Sequence, residues 1–361
     1  MRLSILLAFL LFATALHAEP PADRLAVLRR GVSVTHWFRF PPNGSDTAVR
    51  GYLTDAAIAE LRKDGFTFVR LPVQPEYLRE DNARRDLLIQ VISRLHRHDL
   101  GVVIDLHPAN WHLETNEQDR AALLAFWRWL APALRPLDPR LTFPELLNEP
   151  VFPGAPQVWQ ELQHRVLESL RASLPDHTFI LTGNDWSSVA GLEALRPEAD
   201  SNVVYSFHLY EPSELTSLAA YRPGLDRRTL AQLPFPADDR SACFQVADHA
   251  SDAQTASLVR FYCGLRWNAA RVSARIDAAA KWAERNHAAV IVGEFGASIE
   301  LNPAARMNWI HTVVEACEAR RIGWALWGYD DIMGFAVQSV RSSSVTPMHP
   351  ALLQALGLPP E

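Results

Sequence analysis

The chain has 361 residues, 48% apolar and 21% charged, with 35 Lys and Arg against 41 Asp and Glu for a formal charge of −6. That composition excludes a disordered or fibrous chain, and the length suits two average domains or one α/β barrel. The basic residues are scattered rather than gathered into a stripe, which argues against a nucleic-acid partner and leaves no polybasic anchor for an anionic membrane.

At the N-terminus Arg2 precedes an apolar run from Leu3 to Phe12, followed by Ala13, Thr14, Ala15 and Ala18. The run is shorter than the ~20 residues that span a bilayer. It reads as a secretory signal peptide over residues 1–18, which predicts a secreted or periplasmic protein with one domain over 19–361 and no membrane association after cleavage. Cleavage after Ala15 fits the small-x-small rule better than cleavage after Ala18, which puts Leu16 at the −3 position.

Short apolar, β-rich runs then alternate with stretches of helical period, the signature of βα units around a parallel sheet. Eight runs qualify: 31–36, 66–71, 101–107, 141–148, 178–183, 202–208, 289–294 and 323–327. Helices are predicted between them over 54–63 with Thr54 as N-cap, 84–98, 119–134, 158–173, 271–287 and 303–320. Eight strands favour a closed (β/α)₈ barrel of one domain over a doubly wound open sheet.

Residues 211–268, rich in Pro, Asp, Arg and Ser, break this rhythm after the sixth strand. A connection of that length is an insertion over the barrel mouth. It holds Cys243 and Cys263, candidates for a disulfide in an exported protein. The third cysteine, Cys317, falls on the apolar face of a late helix and reads as a buried thiol.

Functional groups of a βα barrel lie where its strands end. The strands deliver His36 and Trp37, Arg70, Asp105 and His107, Asn148 and Glu149, Asn184 to Trp186, His208 and Tyr210, Glu294, and Trp327 with Tyr329. Glu149 and Glu294 each close an apolar run, and a buried carboxylate costs several kcal/mol unless paired or neutralised. One ion pair with Arg70 explains one of them, not both. Two carboxyl groups facing each other across a barrel mouth are what cleavage of a glycosidic bond needs, a neutral acid for the leaving oxygen and an anion for the anomeric carbon.

These residues resemble glycoside hydrolase family 5, the cellulase-like family of clan A. The likeness rests on Arg70 in Phe68-Val69-Arg70-Leu71-Pro72, His107 in Asp105-Leu106-His107, Asn148-Glu149-Pro150, His208-Leu209-Tyr210, Gly293-Glu294-Phe295-Gly296 and Trp327, all in chain order. The resemblance implies a retaining glycosidase with Glu294 as nucleophile and Glu149 as acid/base, their carboxyl groups ~5 to 5.5 Å apart. It implies that Arg70, His107, His208 and Tyr210 support them and that Asn148 holds a sugar 2-hydroxyl. The expected activity is that of an endo-β-1,4-glucanase, with mannanase or exo-acting glucosidase action as alternatives, on a polysaccharide or oligosaccharide, by a monomer without cofactor.

Sugar rings present apolar C–H faces, so aromatic side chains at strand ends are candidate platforms: Trp327 first, then Trp37, Trp111 and Trp186. Trp127, Trp129, Trp159, Trp282 and Trp309 sit in helical patterns and read as core. The 13 histidines show no metal-ligand spacing such as a His-x-His at the first strand or His-Glu-x-x-His, so no metal is predicted and a metal-dependent amidohydrolase is a minor rival. A barrel that binds carbohydrate without cleaving it is the rival from another class, and it would show decay of a key residue. None is decayed here.

Overall fold

The computed structural model of the protein describes residues 20–41, 44–331 and 348–358. The segment read as a signal peptide lies outside them. Eight parallel strands close into a ring in sequence order: β1 (Arg30–Val34), β2 (Phe68–Val73), β3 (Gly101–Leu106), β4 (Thr142–Glu145), β5 (Phe179–Thr182), β6 (Val203–Leu209), β7 (Ala289–Phe295) and β8 (Gly323–Asp330), with β8 paired to β1. The fold is a (β/α)₈ barrel, as the alternation of runs predicts.

The predicted helices form with small shifts at their ends: Asp55–Lys63, Asn82–His96, Glu117–Leu134, Pro156–Ser173, Ala269–Asn286 and Pro303–Ala319. Thr54 caps the first, its Oγ1 accepting from Ala57 N at 3.2 Å. Between β5 and β6 two short helices, Asn184–Ser187 and Val189–Glu193, make the crossover.

Period-two alternation along the strands builds the interior in layers. Phe68, Val103, Phe143, Ile180, Val204, Ile291 and Ala325 form an apolar plug with Leu28. Two residues further along the same strands come Arg70, Asp105, Glu145, Thr182 and Ser206, each no more than 1% exposed. A charged layer therefore rests directly on the plug, at the end of the barrel where the strands finish.

The 211–268 insertion is more ordered than an irregular lid. It contains the helices Ser213–Thr216, Arg227–Leu230, Arg240–Asp248 and Ala253–Leu265. Asp239 and Asp252 cap the last two, accepting from Ala242 N at 3.0 Å and Thr255 N at 2.7 Å. A Cys243–Cys263 disulfide with a Cα separation of 5.7 Å joins these two helices. Backbone bonds from Ser298 N to Thr216 O at 2.7 Å and from Asn302 N to Ala231 O at 2.9 Å, with Trp309 Nε1 donating to Glu211 O at 3.1 Å, tie the insertion to the β7 side of the mouth. Cys317 is the buried free thiol expected.

Candidate active site

Arg70 is the hub of the charged layer. It lies within β2, inside the barrel, rather than after it. Its Nε donates to Glu145 Oε2 at 2.7 Å and its Nη2 to Glu145 Oε1 at 2.9 Å, a two-pronged grip across the barrel. Nη1 donates to Glu294 Oε1 at 2.5 Å, Nη2 to Asn148 Oδ1 at 3.0 Å, and Asp105 Oδ2 stands 3.1 Å from Nη2. Burial works against a charged guanidinium, but Asp105, Glu145 and Glu294 together keep it protonated. The carboxylates share that single cation unequally. Burial pushes Asp105 up to about 6 and raises Glu145, with Arg70 opposing in both cases.

Glu294 ends β7 and is 4% exposed. Burial alone would raise its carboxyl, yet the charges of His208 and Arg70 outweigh it and hold the group at about 2. Tyr210 OH donates to Oε2 at 3.0 Å, so each oxygen of this carboxylate has a fixed donor. Glu149 stands differently. It follows β4 with a left-handed backbone, φ 39°, a strained conformation for a side chain of this kind, and its side chain is 30% exposed. Backbone bonds from Leu146 N to Ile180 O and from Asn148 N to Leu106 O, with Trp127 Nε1 on Leu146 O, hold the segment in place. Burial raises the Glu149 carboxyl, and the hydrogen bond to His208 only partly opposes it.

His208 bridges the two glutamates, with Nδ1 at 2.9 Å from Glu149 Oε1 and 3.5 Å from Glu294 Oε2. Burial disfavours its charged form, but Glu294 and Glu149 raise its pKa. One oxygen of each glutamate and the imidazole nitrogen all lie within 4.8 Å of one another. A register shift between Phe207 and His208 brings His208 level with Glu294. Gly293 permits it, since a Cβ there would run into Ser206 Oγ on the neighbouring strand.

His107 Nδ1 lies 2.8 Å from Asp105 Oδ2, which puts a proton on Nδ1 and leaves Nε2 to accept from Asn148 Nδ2 at 3.1 Å. Burial, then the charge of Arg39, pushes its pKa well down, so the ring is neutral. Asn148 is thus held at both ends of its amide, the oxygen on Arg70 and the nitrogen on His107.

The structure brings Arg70, His107, Asn148, Glu149, His208, Tyr210 and Glu294 into one network. Trp327, 3% exposed, joins its edge with its ring 6.0 Å from that of His107. Trp186 is 57% exposed beside the Glu149 segment, its backbone N donating to Pro150 O at 3.2 Å. Asp185, Trp186 and Ser187 all take left-handed backbone to present it.

Trp37 is a correction. It is 0% exposed, its Nε1 donates to Val49 O at 2.9 Å, and it packs on Phe38 and Tyr52, so it belongs to the core and not to a sugar platform. Trp111 is half-buried against the core. Trp127, Trp159, Trp282 and Trp309 are buried as expected.

Sequence reasoning missed Glu145, and it noted Asp105 without a role. Glu145 carried a readable signal, a carboxylate inside the apolar run Phe143-Pro144-Glu145-Leu146 with the same demand for a partner as Glu149. Two donor sets, Asp105 with His107 and Glu294, and Glu149 with His208 and Glu294, are compact enough to interest a cation. Their atoms are already engaged by Arg70, Tyr210, Asn148 or one another, and an ion would have to displace these partners.

Residues 32–331 match the cellulase family, glycosyl hydrolase family 5, and the chain belongs to it. It is 24% identical over 330 residues to Endoglucanase 3 of Fibrobacter succinogenes, an alignment covering 84% of this chain and 49% of that protein. Endoglucanase C of Acetivibrio thermocellus is 23% identical over 296 residues, with 77% of this chain and 84% of that protein covered. The chain thus spans about half the length of the first relative and most of the second. In fold it is similar to Cel5A of Thermotoga maritima in complex with cellobiose, with a TM-score of 0.72 at 23% identity over 93% of this chain and 99% of that one.

Proposed function

We propose that the protein is a retaining β-glycan hydrolase that cleaves within β-1,4-linked glucan. The observation that carries this is the bridge of His208 to Glu149 and Glu294, with one oxygen of each carboxyl and the imidazole nitrogen within 4.8 Å of one another. Retention goes with a carboxyl separation of ~5 to 5.5 Å, inversion with ~6.5 to 9.5 Å. The endoglucanase names of the relatives support the glucan reading. The Thermotoga maritima Cel5A, also solved with mannotriose, keeps mannan in the test panel.

In this reading Glu294, anionic and fixed through both oxygens, attacks the anomeric carbon. Glu149, whose pKa burial raises, protonates the departing oxygen and then, as a base, takes a proton from the water that releases the sugar. His208, whose pKa the two glutamates raise, stands between them and eases their repulsion once Glu149 has given up its proton. The locked amide of Asn148 offers a donor to the 2-hydroxyl, and Trp186 offers an exposed ring on the Glu149 side. The enzyme works as a monomer without a cofactor and is exported by its N-terminal segment, a reading supported by the run after Arg2 and by the disulfide.

The test incubates the protein, beside Glu294→Ala and Glu149→Ala, with soluble β-glucans, mannans and xylans and follows new reducing ends and the anomer first released. Cleavage of glucan with the β-anomer appearing first, lost in both variants, is the expected result. Release of the α-anomer first, or cleavage that survives Glu294→Ala, refutes the assignment.

A further inference from the structure

The cleft holds a second arginine whose surroundings are unlike those of Arg70. Arg39 follows β1 on the face where the strands end and is half-buried. Among the described residues its guanidinium makes no ion pair; its neighbours are the ring of Phe40, 4.8 Å away, and that of Trp327, 5.7 Å away. Yet it stands near enough for Glu294, Asp105 and Glu149 to act on it, and burial still outweighs them and lowers its pKa. A guanidinium whose faces rest on aromatic rings presents its N–H groups at the edge, the geometry of a planar, two-pronged contact. Among the described residues the carboxylates reach this cation only at longer range and none pairs with it directly, and the mouth of the cleft is where a direct partner can arrive.

On the insertion Tyr221 is 78% exposed, and the charges of Glu149, Glu294 and Arg39 reach its hydroxyl. Arg39 and Tyr221 thus share one electrostatic neighbourhood with the two carboxyl groups. Arg70 cannot serve a substrate anion, since Glu145, Asp105, Glu294 and Asn148 occupy it.

We propose that Arg39 is a specificity residue that receives an oxyanion substituent carried by the glycan beside the bond to be cleaved, a carboxylate or a phosphate ester on an otherwise β-1,4-linked glucan. The proposal rests on the glycanase reading of the site and names the substrate class that this reading leaves open. A charged donor that meets an oxyanion in a partly desolvated cleft discriminates against a neutral hydroxyl by roughly ten- to a hundredfold.

The experiment measures kcat/KM for the parent, Arg39→Gln and Arg39→Lys on three matched sets of β-1,4-gluco-oligosaccharides: neutral, oxidised to carboxylate at C6, and bearing a phosphate ester. A thermal melt checks that each variant is folded. The parent is expected to prefer one charged set, and the ratio of charged to neutral kcat/KM is expected to fall at least tenfold in Arg39→Gln. Arg39→Lys keeps the charge but not the fork and restores only part of the ratio. Which charged set shows the effect identifies the source of the oxyanion. A ratio that is the same in the parent and both variants overturns the proposal even while glucan is cleaved. If no glucan is cleaved by the parent, the glucanase reading fails by itself. Equilibrium binding of the same three sets to parent and Arg39→Gln then decides the proposal, and equal affinities for charged and neutral ligands overturn it.

Discussion

The ends of β4 and β7 present the same side chain to the same cleft in opposite circumstances. At β7, Glu294 sits within the strand at a shift of register, almost wholly buried, with Arg70 on one oxygen and Tyr210 on the other. At β4, Glu149 lies past the end of the strand on a left-handed turn, partly open to solvent, with His208 as its neighbour. The first environment makes a permanent anion that cannot rotate. The second makes a carboxyl that can hold a proton and hand it over. Identity of the residue says nothing about which role each takes; the partners decide it.

The widest break in this comparison comes from deleting each carboxyl in turn. Glu294→Ala removes the attacking group and is expected to lower kcat on the order of 10⁵-fold whatever the leaving group. Glu149→Ala is expected to cost roughly 10³-fold on a natural glycan but far less in the first step on an aryl glycoside whose phenolate leaves without protonation. Pre-steady-state release of the phenol measures that step, and an equal loss on both substrates would contradict the acid assignment.

Next in size is the hub. Arg70→Met leaves Glu145, Asp105 and Glu294 without their counter-ion, and a broken buried pair costs about 3–5 kcal/mol. Denaturant titration of the variant is expected to show that loss, and an unchanged midpoint would mean that the network contributes little. The pH profile sharpens the contrast further. With Glu294 at about 2 and Glu149 raised, activity should hold far into acid and fall on the alkaline side as Glu149 loses its proton above the ordinary carboxylate range. His208 lowers Glu149, so His208→Gln is expected to move the alkaline limb to higher pH, and a shift to lower pH contradicts the bridge. The smallest effect concerns Trp186. Its replacement by Ala should raise KM about fivefold with little change in kcat on short substrates, as for a platform worth about 1 kcal/mol.

Much of this was legible before any coordinates. The apolar runs located all eight strands, because parallel strands covered on both faces read as continuous hydrophobic stretches. The two glutamates and Arg70 stood out because charge at the end or inside of such a run demands a partner. What a run cannot show is direction. Trp37 and Arg39 follow the same strand two residues apart, yet one turns into the core and the other toward the cleft. Glu145, a charge inside such a run, was legible by the same rule and was overlooked. The helices of the insertion escaped because their sequence is polar and Pro-rich at its borders, although Asp239 and Asp252 already stood as caps.

The amide of Asn148 has one further consequence. With its oxygen on Arg70 and one hydrogen directed at His107, a single N–H remains, and it cannot swivel. A donor fixed in direction tests stereochemistry: it distinguishes an equatorial hydroxyl from an axial one at the same carbon. In the proposed reading of the site, the epimer a sugar carries at that position is then sensed not by the shape of a pocket but by the rigidity of one hydrogen.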